Sequence, residues 1–285
     1  MTAFAEGAPC WVEAALSDVA AGRRFYGEVL GWTFGEGLGH TQEQYTMAYR
    51  GQRKAAGLHR KQDGRLPTAW TVYFATPDAA ALAARIGPAG GQLVTDPRRV
   101  GPLGALAVAA DPGGAVFGVW EAGDHEGFEV VREPGGFCWT ELYTRDAGTA
   151  DAFYEEVFGY VYADEAEDTA KGRDKGEGDD KGEGDDKGEG GHTAAAADRF
   201  LLWSPKGEKP GPGTAIGGRA VFGDDVPLVL PPHFRVYFSV TDCDASVDVA
   251  VGLGGRVLTP PVDIRYGRMA VLADNQGAAF GVLQG

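Results

Sequence analysis

Apolar and polar side chains alternate along WVEAAL, residues 11–16, in the period-two pattern of a half-buried strand. Ser17 and Asp18 then offer capping oxygens to a helix whose Phe25, Tyr26, Val29 and Leu30 share one face, and Gly31 ends it. A strand follows around residues 45–49, then a second at TVYFATPD, residues 71–78. A helical stretch near 78–87, a Gly-Gly turn and two strands joined at ADPGG close the unit. The order returns further along, with a strand at 200–203, a helical stretch at 243–252 and a final hairpin at ADNQG. Each half therefore reads β-α-β-β, then β-α-β-β.

The recurrence is in the residues as well as in the pattern. CWVEAALSDVAAGRRFYGEVLG at 10–31 aligns without a gap on CWTELYTRDAGTADAFYEEVFG at 138–159, an offset of 128. Cys10/Cys138, Trp11/Trp139, Glu13/Glu141, Asp18/Asp146, Phe25/Phe153 and Tyr26/Tyr154 are among the identities. TVYFATPD answers RVYFSVTD at 235–242, and ADPGGAVFGVW at 110–120 answers ADNQGAAFGVL at 273–283. An ordered series of such blocks marks an internal duplication. The expected division is a first domain at 8–122, a linker at 123–134 and a second domain at 135–285.

Composition fits a globular chain, with 44% hydrophobic and 24% charged residues. The net charge of −15 argues against a nucleic-acid surface, which needs clustered Lys and Arg. Much of that charge sits in an acidic, Gly-rich insertion at about 164–192, where a KGEGDD hexamer repeats and Ala166 and Ala170 are the apolar residues before Gly191. A segment of this kind buries too little apolar area to offset its ordering entropy and is expected to be disordered. With no membrane-length apolar run and no signal-like start, the expected setting is cytoplasmic. Cys10, Cys138 and Cys243 form no metal or disulfide spacing and read as core thiols.

The strand, Asp, FY..VLG helix, YF block and DP.G..F hairpin together resemble the vicinal-oxygen-chelate superfamily of glyoxalases, bleomycin-resistance proteins and extradiol dioxygenases. The tandem arrangement is most similar to an actinobacterial group that includes a mycobacterial antigen and anthracycline-pathway accessory proteins. The resemblance implies an α+β fold of two tandem, paired βαβββ domains whose curled mixed sheets form clefts. In metal-dependent members His and Glu ligands come from the first, YF and closing strands. Carried over, those positions fall on Trp11 and Trp139, Thr71 and Arg235, and Gly118 and Gly281, none of which suits a metal. His40, His59, His125, His192 and His233 are not duplicated by the repeat and read as solvated or capping side chains.

No metal and no cofactor is therefore expected. Alternation places Trp11 with Glu13, Trp139 with Glu141, Thr71 with Tyr73 and Arg235 with Tyr237 on one face of each strand, and the resemblance implies that this face lines the cleft. Gly118 and Trp120, with Gly281 in the second copy, face them, and the glycines leave room for a flat ligand. Trp203 is a further aromatic candidate. Such clefts suit an aromatic or polycyclic small molecule, held by sequestration or in support of a biosynthetic oxygenase. One alternative is a glyoxalase-like lyase or isomerase using Glu13 or Glu141; another is a non-catalytic interaction module. The partners expected are thus a small molecule, neither nucleic acid nor membrane, with a monomer or a homodimer as the assembly.

Overall fold

The computed structural model describes residues 4–35, 45–164, 200–223 and 226–285. The acidic repeat from residue 165 onward, His40 and His192 lie outside the described residues. In the first half β1 (Pro9–Leu16) leads to α1 (Val19–Leu30), β2 (Thr33–Phe34), β3 (Tyr45–Arg50) and β4 (Arg53–Arg60). A second module follows as β5 (Ala69–Ala75), α2 (Ala79–Ile86), β6 (Gln92–Arg99), β7 (Gly104–Ala110) and β8 (Val116–Ala122). The second half repeats this with β9 (Phe137–Thr144), α3 (Ala147–Phe158), β10 (Val161–Asp164), β11 (Phe200–Ser204) and β12 (Gly217–Val221). It ends with β13 (His233–Ser239), α4 (Cys243–Gly252), β14 (Arg256–Ile264), β15 (Gly267–Ala273) and β16 (Ala279–Gln284).

Each module thus has one strand more than the alternation indicates, giving β-α-β-β-β. Strands β2, β4 and β6 lack a period-two signal for identifiable reasons. β2 is two residues long, β4 buries four consecutive residues from Ala55 to Leu58, and β6 is a largely exposed edge strand containing Pro97.

Both halves form open eight-stranded mixed sheets, ordered β2-β3-β4-β1-β5-β8-β7-β6 and β10-β11-β12-β9-β13-β16-β15-β14. The central pair, β1 with β5 or β9 with β13, is antiparallel. Each of its members has a parallel outer neighbour. Along β1, Cys10, Val12, Ala14 and Leu16 are fully buried in the core, and Trp11 and Glu13 project to the other face. Asp18, Asp78, Asp146 and Asp242 cap the four helices through side-chain bonds to backbone N–H groups.

The halves interlock by exchanging equivalent contacts. Tyr26 Oη donates to Asp274 at 2.9 Å, and its repeat partner Tyr154 donates to Asp111 at 3.2 Å. Phe25 meets Phe280 edge-on and Phe153 meets Phe117 in the same manner. The segment between β8 and β9, expected as a linker, is strapped to the first half. Phe128 and Val130 are buried, Phe128 N–H donates to Cys10 O, and Glu129 pairs with Lys54 at 3.0 Å.

Candidate functional site

Each sheet carries a cavity on the face opposite its core side chains. The N-terminal cavity measures about 700 Å³. Register sets its floor: Trp11 lies opposite Tyr73, Glu13 opposite Thr71, and Tyr73 beside Gly118. Tyr73 Oη donates to Glu13 at 2.5 Å, and His59 Nε2 lies 3.6 Å from the same carboxylate. Trp11 Nε1 donates to Tyr45 Oη at 3.0 Å, while Tyr45 stacks parallel to His59. Burial, with the adjacent Glu13 charge, pushes the Tyr45 and Tyr73 phenols far above their ordinary range, so both act as donors.

His125 sits in the same wall. Its ring meets Trp11 edge-on at 4.5 Å and Trp120 at 5.6 Å between centroids, and Trp120 Nε1 donates to its carbonyl. The residue is 5% exposed and neither ring nitrogen has a hydrogen-bond partner. Burial, reinforced by nearby Lys54, pushes its pKa down to about 4 and keeps the ring neutral.

The C-terminal cavity, about 680 Å³, repeats the plan with a different chemistry. Glu141 accepts from Tyr237 at 2.7 Å and from Tyr143 at 2.8 Å, so one carboxylate gathers two phenols. Burial first, then the Glu141 charge, raises Tyr143 to about 12 and Tyr237 further. Trp139, Phe200, Leu202, Met269 and Leu283 supply apolar walls. The Arg235 guanidinium lies 4.3 Å above the Tyr143 ring, with His233 stacked on that ring as well.

Residues 11–120 match a glyoxalase-like domain family, and residues 136–282 match the glyoxalase/bleomycin resistance protein/dioxygenase superfamily. The chain belongs to this superfamily. An anthracycline biosynthesis protein, DauV, of Streptomyces sp. strain C5 is 38% identical, over 100% of this chain and 95% of its own. CFP32 of Mycobacterium tuberculosis is 31% identical, over 99% of this chain and 96% of its own. These matches place the chain with the actinobacterial tandem group. Among solved structures, the Mn(II)-bound glyoxalase of Novosphingobium aromaticivorans has a TM-score of 0.60 at 14% identity, covering 99% of this chain and 83% of that one. That likeness concerns the fold alone.

Against the superfamily's plan, the cavities bring together Trp11, Glu13, Tyr73 and Trp120 in one half, and Trp139, Glu141 and Tyr237 in the other. Thr71 pairs with Glu13 across the strands, and Arg235 pairs with Glu141, but neither lines a cavity. Trp203 is a correction: it is fully buried between Tyr154, Tyr160 and Phe234, in the core of the second half. Gly118 and Gly281 are a second. They leave no room for a ligand at the backbone, because the rings of Tyr73 and Tyr237 fill the space above them.

The histidines are a third correction. His59 and His125 line the N-terminal cavity instead of being solvated, and His233 is stacked beside the second. Cys10 and Cys243 are buried, whereas Cys138 lines the C-terminal cavity, with its thiol pushed up to about 12 by burial. Tyr45, Arg98, Tyr143 and Met269 are cavity residues that the repeat did not single out. Tyr45, Arg98 and Met269 lie on strands outside the repeat blocks, whereas Tyr143 lies within the 138–159 block, where alternation puts it on the face of Trp139 and Glu141.

Metal-dependent members of the superfamily need a convergent set of His and carboxylate donors. The N-terminal cavity offers Glu13, His59 and His125, and the C-terminal cavity offers Glu141 and Cys138. Among the described residues no three His, Cys, Asp or Glu side chains converge. These donor sets do not fit a divalent cation held by protein groups.

Proposed function

We propose that the chain binds a planar aromatic or polycyclic small molecule in its clefts, without a metal, and serves as an accessory to a biosynthetic oxygenase. The observation that carries this reading is the paired cavity. Two spaces of about 680 and 700 Å³ occupy equivalent places and share an aromatic wall beside a carboxylate clamped by tyrosine. Ligand pockets commonly span about 300–1,000 Å³, and rings such as Trp139 offer stacking area at little entropic cost. The phenols tied to Glu141 are fixed in place and orient polar edges of a ligand. The anthracycline biosynthesis name of the Streptomyces relative supports a polycyclic aromatic class.

Tryptophan fluorescence titrated with planar quinones tests this reading. A saturable quench is expected; a flat response across neutral, anionic and cationic polycycles contradicts it.

A second reading rests on the Glu13–His59 approach of 3.6 Å, which places an acid–base pair beside Tyr73. It makes the chain a glyoxalase-like lyase or isomerase. Turnover of a methylglyoxal–thiol adduct that is lost in Glu13→Gln or Glu141→Gln would favour it; no turnover would dismiss it.

A further inference from the structure

Strand register allows the two cavities to be compared position by position. His59 lies opposite Ala15 on the β1–β4 pair, and Ala220 holds the equivalent place opposite Tyr143. Arg98 lies opposite Leu106, which pairs with Trp120; Val262 lies opposite Met269, which pairs with Leu283. Where the N-terminal half carries an imidazole and a guanidinium, the C-terminal half carries a methyl and an isopropyl group.

The polar groups of the N-terminal cavity are also left available. Arg98 forms no ion pair with a carboxylate among the described residues. Its side chain lines the N-terminal cavity together with Tyr73. Arg60 and Lys61 stand at the same wall, and the buried His125 nitrogens lack partners. The single carboxylate, Glu13, is already engaged by Tyr73 and approached by His59. The cations of the C-terminal cavity are differently placed: Arg132 donates to Ala215 O at 3.4 Å, and Arg265 lies 5.7 Å from the Tyr266 ring.

We propose that the N-terminal cleft selects an aromatic ligand bearing a carboxylate, bound through Arg98 with His59 and His125 beside it, and that the C-terminal cleft takes the uncharged polycycle. This rests on the aromatic-binding reading and narrows it to a ligand class for each cleft. A guanidinium presents a planar fork to a carboxylate, and such charge-assisted pairs are about twice as strong as neutral ones. The C-terminal half has Val262 and Ala220 at the matching positions, and its own guanidiniums, Arg132 and Arg265, come from other segments.

Calorimetric titration with anthraquinone-2-carboxylate and with its methyl ester separates the possibilities in the full chain. The acid is expected to bind one site and the ester both. Arg98→Gln, at an exposed position of β6, weakens the acid roughly tenfold or more and leaves the ester unchanged. Val262→Arg adds a second site for the acid. Equal losses for acid and ester in Arg98→Gln, or no loss for either, overturn the division between clefts while leaving aromatic binding intact. Absence of binding by both probes overturns the division and the aromatic reading together.

Discussion

The ring of Tyr73 lies over the α-carbon of Gly118, in the space that a side chain at that position would fill. Tyr237 and Gly281 repeat the arrangement in the other half. Each tyrosine spans from a glycine on the closing strand to a glutamate on the first strand, which it reaches with its hydroxyl. In both halves a ring and a hydrogen bond thus join the closing strand to the first strand across the cavity floor.

Gly118→Ala forces a methyl group into the Tyr73 ring. The expected loss of stability is about 1–3 kcal/mol, the usual range for overpacking. Urea unfolding of Gly118→Ala, Tyr73→Ala and the pair gives the check. Because the clash needs both partners, the double variant should lose less than the sum of the singles, and strict additivity would contradict the contact.

The exchanged Tyr–Asp bonds between halves are unequal. Tyr26 also accepts from Trp70 Nε1 at 3.1 Å, whereas Phe234 stands at the matching place in the second half and offers no donor. Tyr26→Phe strands both Trp70 and one oxygen of Asp274, and Tyr154→Phe strands a single acceptor. An unsatisfied buried group costs about 1–3 kcal/mol, so Tyr26→Phe should be the more destabilising in thermal or urea melts.

His125 sets a pH dependence with a defined sign. In the folded chain the ring stays neutral down to about pH 4, while in the unfolded chain it titrates near its ordinary 6.5. Between those values the unfolded state binds more protons, so stability falls as pH drops and levels off below the folded value. The His125 share between pH 7 and pH 5 is roughly 2 kcal/mol. Urea midpoints measured at both pH values should show a smaller acid loss in His125→Gln than in the parent chain.

Much of this architecture is legible in the sequence because local chemistry dictates it. Asp18 caps α1 by accepting from Ala21 N–H at 3.0 Å, and Gly31 ends it at a φ of 67°, a left-handed conformation that glycine adopts without penalty. Alternation also oriented Trp11 and Glu13 correctly, since β1 has one face in the core. The side chains misjudged from sequence depend on which strands become neighbours. His59 reaches Glu13 because β4 runs parallel to β1, a pairing between segments about forty residues apart that no local pattern reveals. Trp203 ends the apolar run FLLW, where period two gives no face, and packing against Tyr154, Tyr160 and Phe234 draws it into the core.

The tryptophans should consequently divide by role. Trp203→Phe is expected to lower stability by about 1–3 kcal/mol through lost packing while leaving ligand affinity unaltered. Trp139→Ala, at a half-buried cavity wall, should do the reverse: a small change in urea midpoint and a large loss of affinity. Parallel unfolding and calorimetric series on the two variants check the distinction.

The most direct test is a calorimetric titration of the full chain with a neutral planar quinone, repeated on the Trp11→Ala/Trp139→Ala double variant. The account predicts saturable binding to the parent chain and an affinity at least tenfold weaker in the double variant, with its fold intact by circular dichroism. Binding of equal strength in the two proteins, or no heat of binding in either, would contradict the claim that these aromatic-walled cavities are ligand sites.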